Sequence, residues 1–118
     1  AVVNEAMNSG CAEVASAAAG AVPYLIRQGV NGIAYPGDDF MQMAQAVLSL
    51  ACNDGKRKEM GRKAMETITG AWNAEHAAGE LLRFSEELLT GEPKGADDGP
   101  LSPAPVISER RMYSWMCQ

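Results

Sequence analysis

The sequence predicts an α/β fold whose strands pair in parallel. Two short runs, residues 11–16 and 33–35, are small and largely apolar, as covered strands tend to be, and glycine or proline bounds them. These runs alternate with stretches whose apolar residues recur every three and four positions, the helical period. From Phe40 to Leu89 that helical spacing takes over, so helices dominate the C-terminal part. Strands alternating with helices favour parallel pairing.

Taken in order, Val3, Ala6 and Met7 share one face of a first short helix, and Gly10 stops it in the position where glycine caps helices. Residues 11–16 form the first strand, and residues 17–21, A-A-A-G-A, read as a loop. Val22-Pro23 opens a second short helix, since proline suits the first helical turn. Tyr24, Leu25 and Ile26 are its packed face and residues 27–29 its end. Val30-Asn31-Gly32 makes a tight turn into the second strand, Ile33, Ala34 and Tyr35, which Pro36-Gly37 stops. Asp38 or Asp39 caps the next helix, with Phe40, Met43, Ala44, Val47 and Ala51 on one stripe and Leu48 beside it. Residues 53–55 break it, and Asp54 can cap a successor in which Met60, Ala64 and Ile68 recur every four residues. Thr69-Gly70 interrupts again. A last helix from Trp72 to about Leu89 places Ala74, Ala77, Ala78, Leu81, Phe84 and Leu88 on one packed face. Beyond it, residues 90–105 are rich in Gly, Pro, Asp and Lys and read as loop or disorder. Residues 106–118 regain apolar character. The expected organisation is a domain over residues 1–89 and a linker with an apolar C-terminal segment over residues 90–118.

A chain of 118 residues, 47% hydrophobic and 21% charged, fits one globular domain. Its net charge of −5 argues against a nucleic-acid surface, where a clustered basic patch is expected. Cys11, Cys52 and Cys117 are far apart and odd in number, and His76 is the single histidine. Neither a zinc site nor a disulfide framework follows, and a reduced, cytoplasmic setting is the simplest reading. No apolar run approaches the ~20 residues that span a bilayer. The chain starts at Ala1 without an initiator methionine, close to its first helix, and is expected to be a piece of a longer protein. Two short strands make a poor sheet, with edge groups left unpaired.

The series N-E-A-M-N-S-G-C-A-E-V-A-S, then G-A-V-P-Y-L-I, then G-V-N-G-I-A-Y, resembles the retaining GT-B glycosyltransferases of family 4. Trp72, His76-Ala77-Ala78 and Leu81-Leu82 are similar to that family's W-x-x-x-A-x-x-L helix. The likeness runs from about Ala1 to Leu89 and is specific as an ordered set. It implies the C-terminal, donor-binding part of a GT-B fold, a partial Rossmann-like domain with short parallel strands. The function implied is transfer of a sugar from a nucleotide-sugar to a glycan or lipid-linked acceptor, with no cofactor and no metal in the donor site. In such enzymes the second Glu of the motif accepts hydrogen bonds from the donor ribose, and by matched position that residue is Glu5. A carboxylate suits this role because it only accepts, and it can take both hydroxyls of a vicinal diol. The family's first Glu, its pyrophosphate loop and its basic residues match no position from Ala1 onward. No residue here is assigned as acid, base or nucleophile, and this chain alone is expected to be inactive.

Glu5 read without the resemblance is a solvated helix carboxylate. Glu13 departs from the family, which has an apolar residue at that place. A carboxylate there is costly unless the strand is exposed on that side, a base such as Arg27 pairs with it, or a ligand does. Tyr24 stands where many relatives have Glu, and Cys11-Ala12 replaces a small residue and proline. Gly20 reads as a simple turn, with backbone approach to a phosphate as the alternative. Cys11 reads as a small buried residue rather than a nucleophile, His76 as a helix surface residue, and Met43 and Met60 as core. Lys56, Arg57, Lys58, Arg62 and Lys63 read as a solvated face, with peripheral attachment to a membrane as the alternative. Two other readings stand beside the transferase: a non-catalytic, self-associating interaction module, and a piece of another GT-B enzyme such as a nucleotide-sugar epimerase. Homo-oligomerisation through strand edges or an exchanged C-terminal segment is expected, the alternative being that residues 106–118 fold back on the Phe40 to Leu50 helix or the Trp72 to Leu89 helix of their own chain.

Overall fold

The computed structural model describes residues 1–103. Its elements are α1 (Val2–Asn8), β1 (Glu13–Ser16), α2 (Val22–Leu25), β2 (Gly32–Tyr35), α3 (Phe40–Ala51), α4 (Asp54–Gly70) and α5 (Ala74–Thr90). β1 and β2 pair in parallel, Glu13 with Gly32, Val14 with Ile33, Ala15 with Ala34 and Ser16 with Tyr35. Parallel strands need a crossover, and residues 17–31 supply it with α2 in the middle. The α/β class and the parallel pairing read from the sequence hold, as a partial Rossmann-like unit.

The core forms where the short helices meet α4. Met7, Leu25, Ala64 and Ile68 are buried together, with Val3, Ala21, Ile26 and Trp72 packed against them. Full burial of a Met, Leu or Ile side chain stabilises the fold by roughly 1.5–3 kcal/mol, so this cluster is the principal anchor of α1 and α2. Gly10 takes φ +73° and turns the chain out of α1. Its N–H donates to Met7 O at 2.9 Å and that of Cys11 to Ala6 O at 3.0 Å, which closes the helix end. Along α4, Met60, Ala64 and Ile68 are buried, as their four-residue spacing predicts. Gly61 joins them for a reason periodicity does not show. A Cβ there would lie 2.0 Å from the carbonyl oxygen of Gly10, so α4 rests directly on the backbone of the α1–β1 turn.

Two polar side chains hold the crossover. Asn31 is only 1% exposed. Its amide nitrogen donates to Leu25 O and to Thr67 Oγ1, each at 2.9 Å, and its oxygen accepts from Arg27 N at 2.6 Å. It thereby ties the end of α2 to α4. Gln28 lies along the outer edge of β2, accepting from Ala34 N at 2.7 Å and donating to Ala34 O at 3.3 Å. Gly29 N–H donates to Gly32 O at 2.8 Å on that edge. The chain thus covers one of the two edges expected to lie open.

Several local expectations need correction. Asp39 caps α3, accepting from Gln42 N at 2.9 Å, but Asn53 rather than Asp54 caps α4, accepting from Lys56 N at 2.9 Å. Asp54 instead pairs with Arg57 and Lys58 inside the first turn, where a negative charge suits the helix dipole. α4 runs on through Gly70, and Trp72 precedes α5 rather than opening it. The face of α3 is rotated from the expected stripe: Ala46 and Leu50 are buried, while Phe40 is 71% and Leu48 60% exposed. The helix lies at the margin of the unit and touches the strands and α4 along a narrow line, which small Ala46 and Leu50 fit. No residue of α5 is buried. Its leucine-bearing face has no element of residues 1–103 lying over it. Residues 91–103 are loop, tied back by the Arg27–Asp98 ion pair. The C-terminal apolar segment expected to cover a surface lies outside the described residues.

Candidate functional site

Glu5 lies in the middle of α1. Successive residues turn by about 100°, which sets it on the side of the helix opposite buried Met7, and it is exposed. Its main-chain oxygen accepts from Ser9 N at 3.1 Å and from Ser9 Oγ at 2.9 Å. Among the described residues its carboxylate has no ion pair or hydrogen bond, so both oxygens are free to accept.

The loop of residues 17–21 follows the carboxyl end of β1. Ser16 Oγ donates to Gly37 O at 3.0 Å and accepts from Ala18 N at 3.2 Å, and Ala17 N donates to Tyr35 O at 2.8 Å. These bonds fasten the loops after the two strands to one another. Ala21 and Val3 pack against the same core cluster, so the first turn of α1 and the end of the loop converge there. Ligands of open α/β sheets bind beyond the carboxyl ends of strands. The structure brings α1 and that loop into one neighbourhood; it does not add a second charged side chain to Glu5. Gly20 has open space where a Cβ would stand and no positive φ, so neither strain nor close approach requires glycine there.

Glu13 fits none of the exposed or ion-paired readings. It is half-buried in β1, its Oε2 is buried without a hydrogen-bond partner among the described residues, and burial pushes its carboxyl pKa up. Arg27 is committed to Asp98. Cys11 is exposed rather than buried, because β1 begins two residues later and Cys11 falls in the turn. Tyr24 is half-buried and His76 exposed. Four of the five cations of α4 are paired along the helix: Arg57 and Lys58 with Asp54, Arg62 with Glu59 and Glu66, and Lys63 with Glu59. That is the solvated face expected, with little unpaired positive charge. No group of three His, Cys, Asp or Glu side chains is placed to hold a metal among the described residues. No helix there is long and apolar enough to cross a membrane.

Sequence reasoning missed Asn31 and Gln28 as the residues that hold the crossover between the strands. Asn31 reads as a turn residue and Gln28 as the end of a helix, and no periodicity marks an amide that is buried or laid along a strand.

Residues 1–53 match the model of the family described as Glycosyl transferases group 1. The matched stretch contains α1, both strands, α2 and all of α3. Comparison with curated proteins and with solved structures gives no match.

Proposed function

We propose that this chain, whose first 53 residues match the glycosyl transferases group 1 model, is the donor side of a retaining glycosyltransferase. Glycosyl transfer is the activity that family carries. In our reading the donor is a nucleotide-sugar, and the acceptor, a glycan or a lipid-linked sugar, is presented by a further domain. Glu5 holds the donor ribose, its two oxygens accepting from the vicinal hydroxyls. The observation that carries the reading is the family match over the segment containing Glu5, on a helix where that carboxylate is exposed and uncommitted among the described residues.

The chemistry is electrostatic. A departing nucleoside diphosphate needs its developing charge met by donors placed in advance. Glu5 cannot supply that, since a carboxylate accepts only; it positions the nucleoside so that the anomeric carbon is held in place. A hydrogen bond to a charged group contributes about 1.5–3 kcal/mol, against about 8 kcal/mol for micromolar affinity. Residues 1–118 by themselves are therefore expected to bind UDP, GDP or ADP more weakly than micromolar and to transfer no sugar. Calorimetric titration checks this: micromolar binding of any of the three contradicts the single-contact reading.

A second reading, a non-catalytic interaction module, is favoured by the exposed apolar faces of α3 and α5, where Phe40, Leu48, Leu82 and Leu89 face solvent. Transfer activity with a nucleotide-sugar once a partner domain is supplied separates it from the first.

A further inference from the structure

The two sides of α5 differ in a way that points to an occupant. On one side Glu80, Arg83 and Glu87 form an ion-pair ladder that also grips the returning chain. Arg83 pairs with both glutamates and donates to Lys94 O at 3.3 Å, and Glu87 accepts from Lys94 N at 2.7 Å. Leu101 and Pro103 stand against Gly95, and Gly99 reaches Ala71 and His76. Residues 91–103 therefore lie back along the polar side of α5 and end beside it. The other side is apolar and open. Leu81 and Leu88 repeat at seven residues and are each 56% exposed; Leu82 and Leu89 repeat likewise at 67% and 89%. Heptad spacing of this kind is the seam that receives another apolar segment. Glu75 and Glu86 border the seam on one flank, and neither has an ion pair among the described residues.

We propose that the leucine face of α5 is a docking groove for residues 106–118 of the same chain. Fifteen residues follow Pro103, which stands against Gly95, next to the Lys94 that Arg83 and Glu87 of α5 hold. Extended, they reach about 50 Å, ample to pass round a helix about 10–12 Å across and follow its length of about 25 Å. Their sequence is complementary to the groove. Val106, Ile107, Met112, Tyr113, Trp115 and Met116 supply apolar surface, and Arg110 and Arg111 outweigh Glu109, which leaves the segment's side chains with a net positive charge, opposite to Glu75 and Glu86. A second copy of α5 fits less well, because it would bring Glu75 and Glu86 against a helix that is itself mostly acidic.

Hydrogen–deuterium exchange on the full chain tests this. The expected result is slowed exchange in residues 106–118 and in residues 81–89, independent of protein concentration. Leu82→Glu with Leu89→Glu should release both while the amides around Met60 to Ile68 stay protected, which shows that the core is intact. Arg110→Glu with Arg111→Glu should weaken the protection, and adding Glu75→Arg with Glu86→Arg should restore it. Residues 106–118 exchanging as a free peptide would overturn the proposal. So would protection that fades on dilution, which assigns the groove to a second copy, or charge reversals without effect.

Discussion

Glu13 shows how far a single residue can depart from its setting. Burial raises its carboxyl pKa, so in the folded protein it holds its proton to higher pH than in the unfolded chain. Stability then falls as pH rises through that window, and at neutral pH the ionised, unpartnered oxygen is a standing cost. Glu13→Val removes the charge and places a β-branched residue in a strand. Because the side chain is only half-buried, we expect a gain near the low end of the penalty for an unsatisfied group, about 1 kcal/mol, or roughly 4–8 °C in Tm. Melting curves at several pH values should show that gain largest at neutral pH and shrinking towards pH 4. Asn31 is the opposite case, a buried polar group with all its bonds made. Asn31→Ala leaves Leu25 O and Arg27 N without their partner and should cost about 2–3 kcal/mol in denaturant unfolding. The sequence marked Glu13 as anomalous, because it departs from the apolar residue that the resembling family has at that place. It could not mark Asn31, which looks like any turn asparagine until Thr67, 36 residues away, is brought beside it.

Elements were legible in the sequence to the extent that local rules set them. Gly10, Pro23, Gly29 and Asp39 punctuate the chain where backbone conformation and capping require, and the ends of α1, α2 and α3 fall close to them. The faces of α3 and α5 were not legible, because periodicity says which residues share a face and not whether anything lies opposite. Ala64 and Ile68 are buried because Met7 of α1 and Leu25 of α2 pack with them; Leu81 and Leu88 follow an equally regular spacing and stay exposed. The close approach of α4 to the Gly10 turn gives a test at this scale. Gly61→Ala forces a methyl against a backbone carbonyl that cannot rotate away. It should destabilise by about 1–3 kcal/mol, the range for overpacking, although alanine is the better helix former. Gly70→Ala, where a Cβ meets nothing, is the control and should not destabilise.

For the molecule as a whole, the family match, the parallel pair and the loop after β1 belong to one segment, with α4 as the platform beneath it. Charge acts around that platform rather than within it. Asp39 is held below its usual pKa by the Gln42 N–H bonds, Glu59 by Arg62 and Glu80 by Arg83. Each therefore contributes stability above its unfolded pKa that is lost as pH falls through the lower folded value. Acid should loosen the caps and ladders of α3, α4 and α5 before it reaches the apolar cluster around Met7. The donor-binding reading was legible in the sequence as the motif around Glu5. The exposure of that carboxylate, opposite the face of Val3, Ala6 and Met7, was legible as well; that α4 is the element covering the apolar face was not. Nitrogen-15 NMR of the chain titrated with millimolar UDP, GDP and ADP, beside Glu5→Gln, measures the claim most directly. The account predicts shifts concentrated in residues 4–8 and 17–21 for at least one nucleotide, and their loss in Glu5→Gln with the rest of the spectrum unchanged. Shifts that avoid α1, or that persist unaltered in Glu5→Gln, would contradict it.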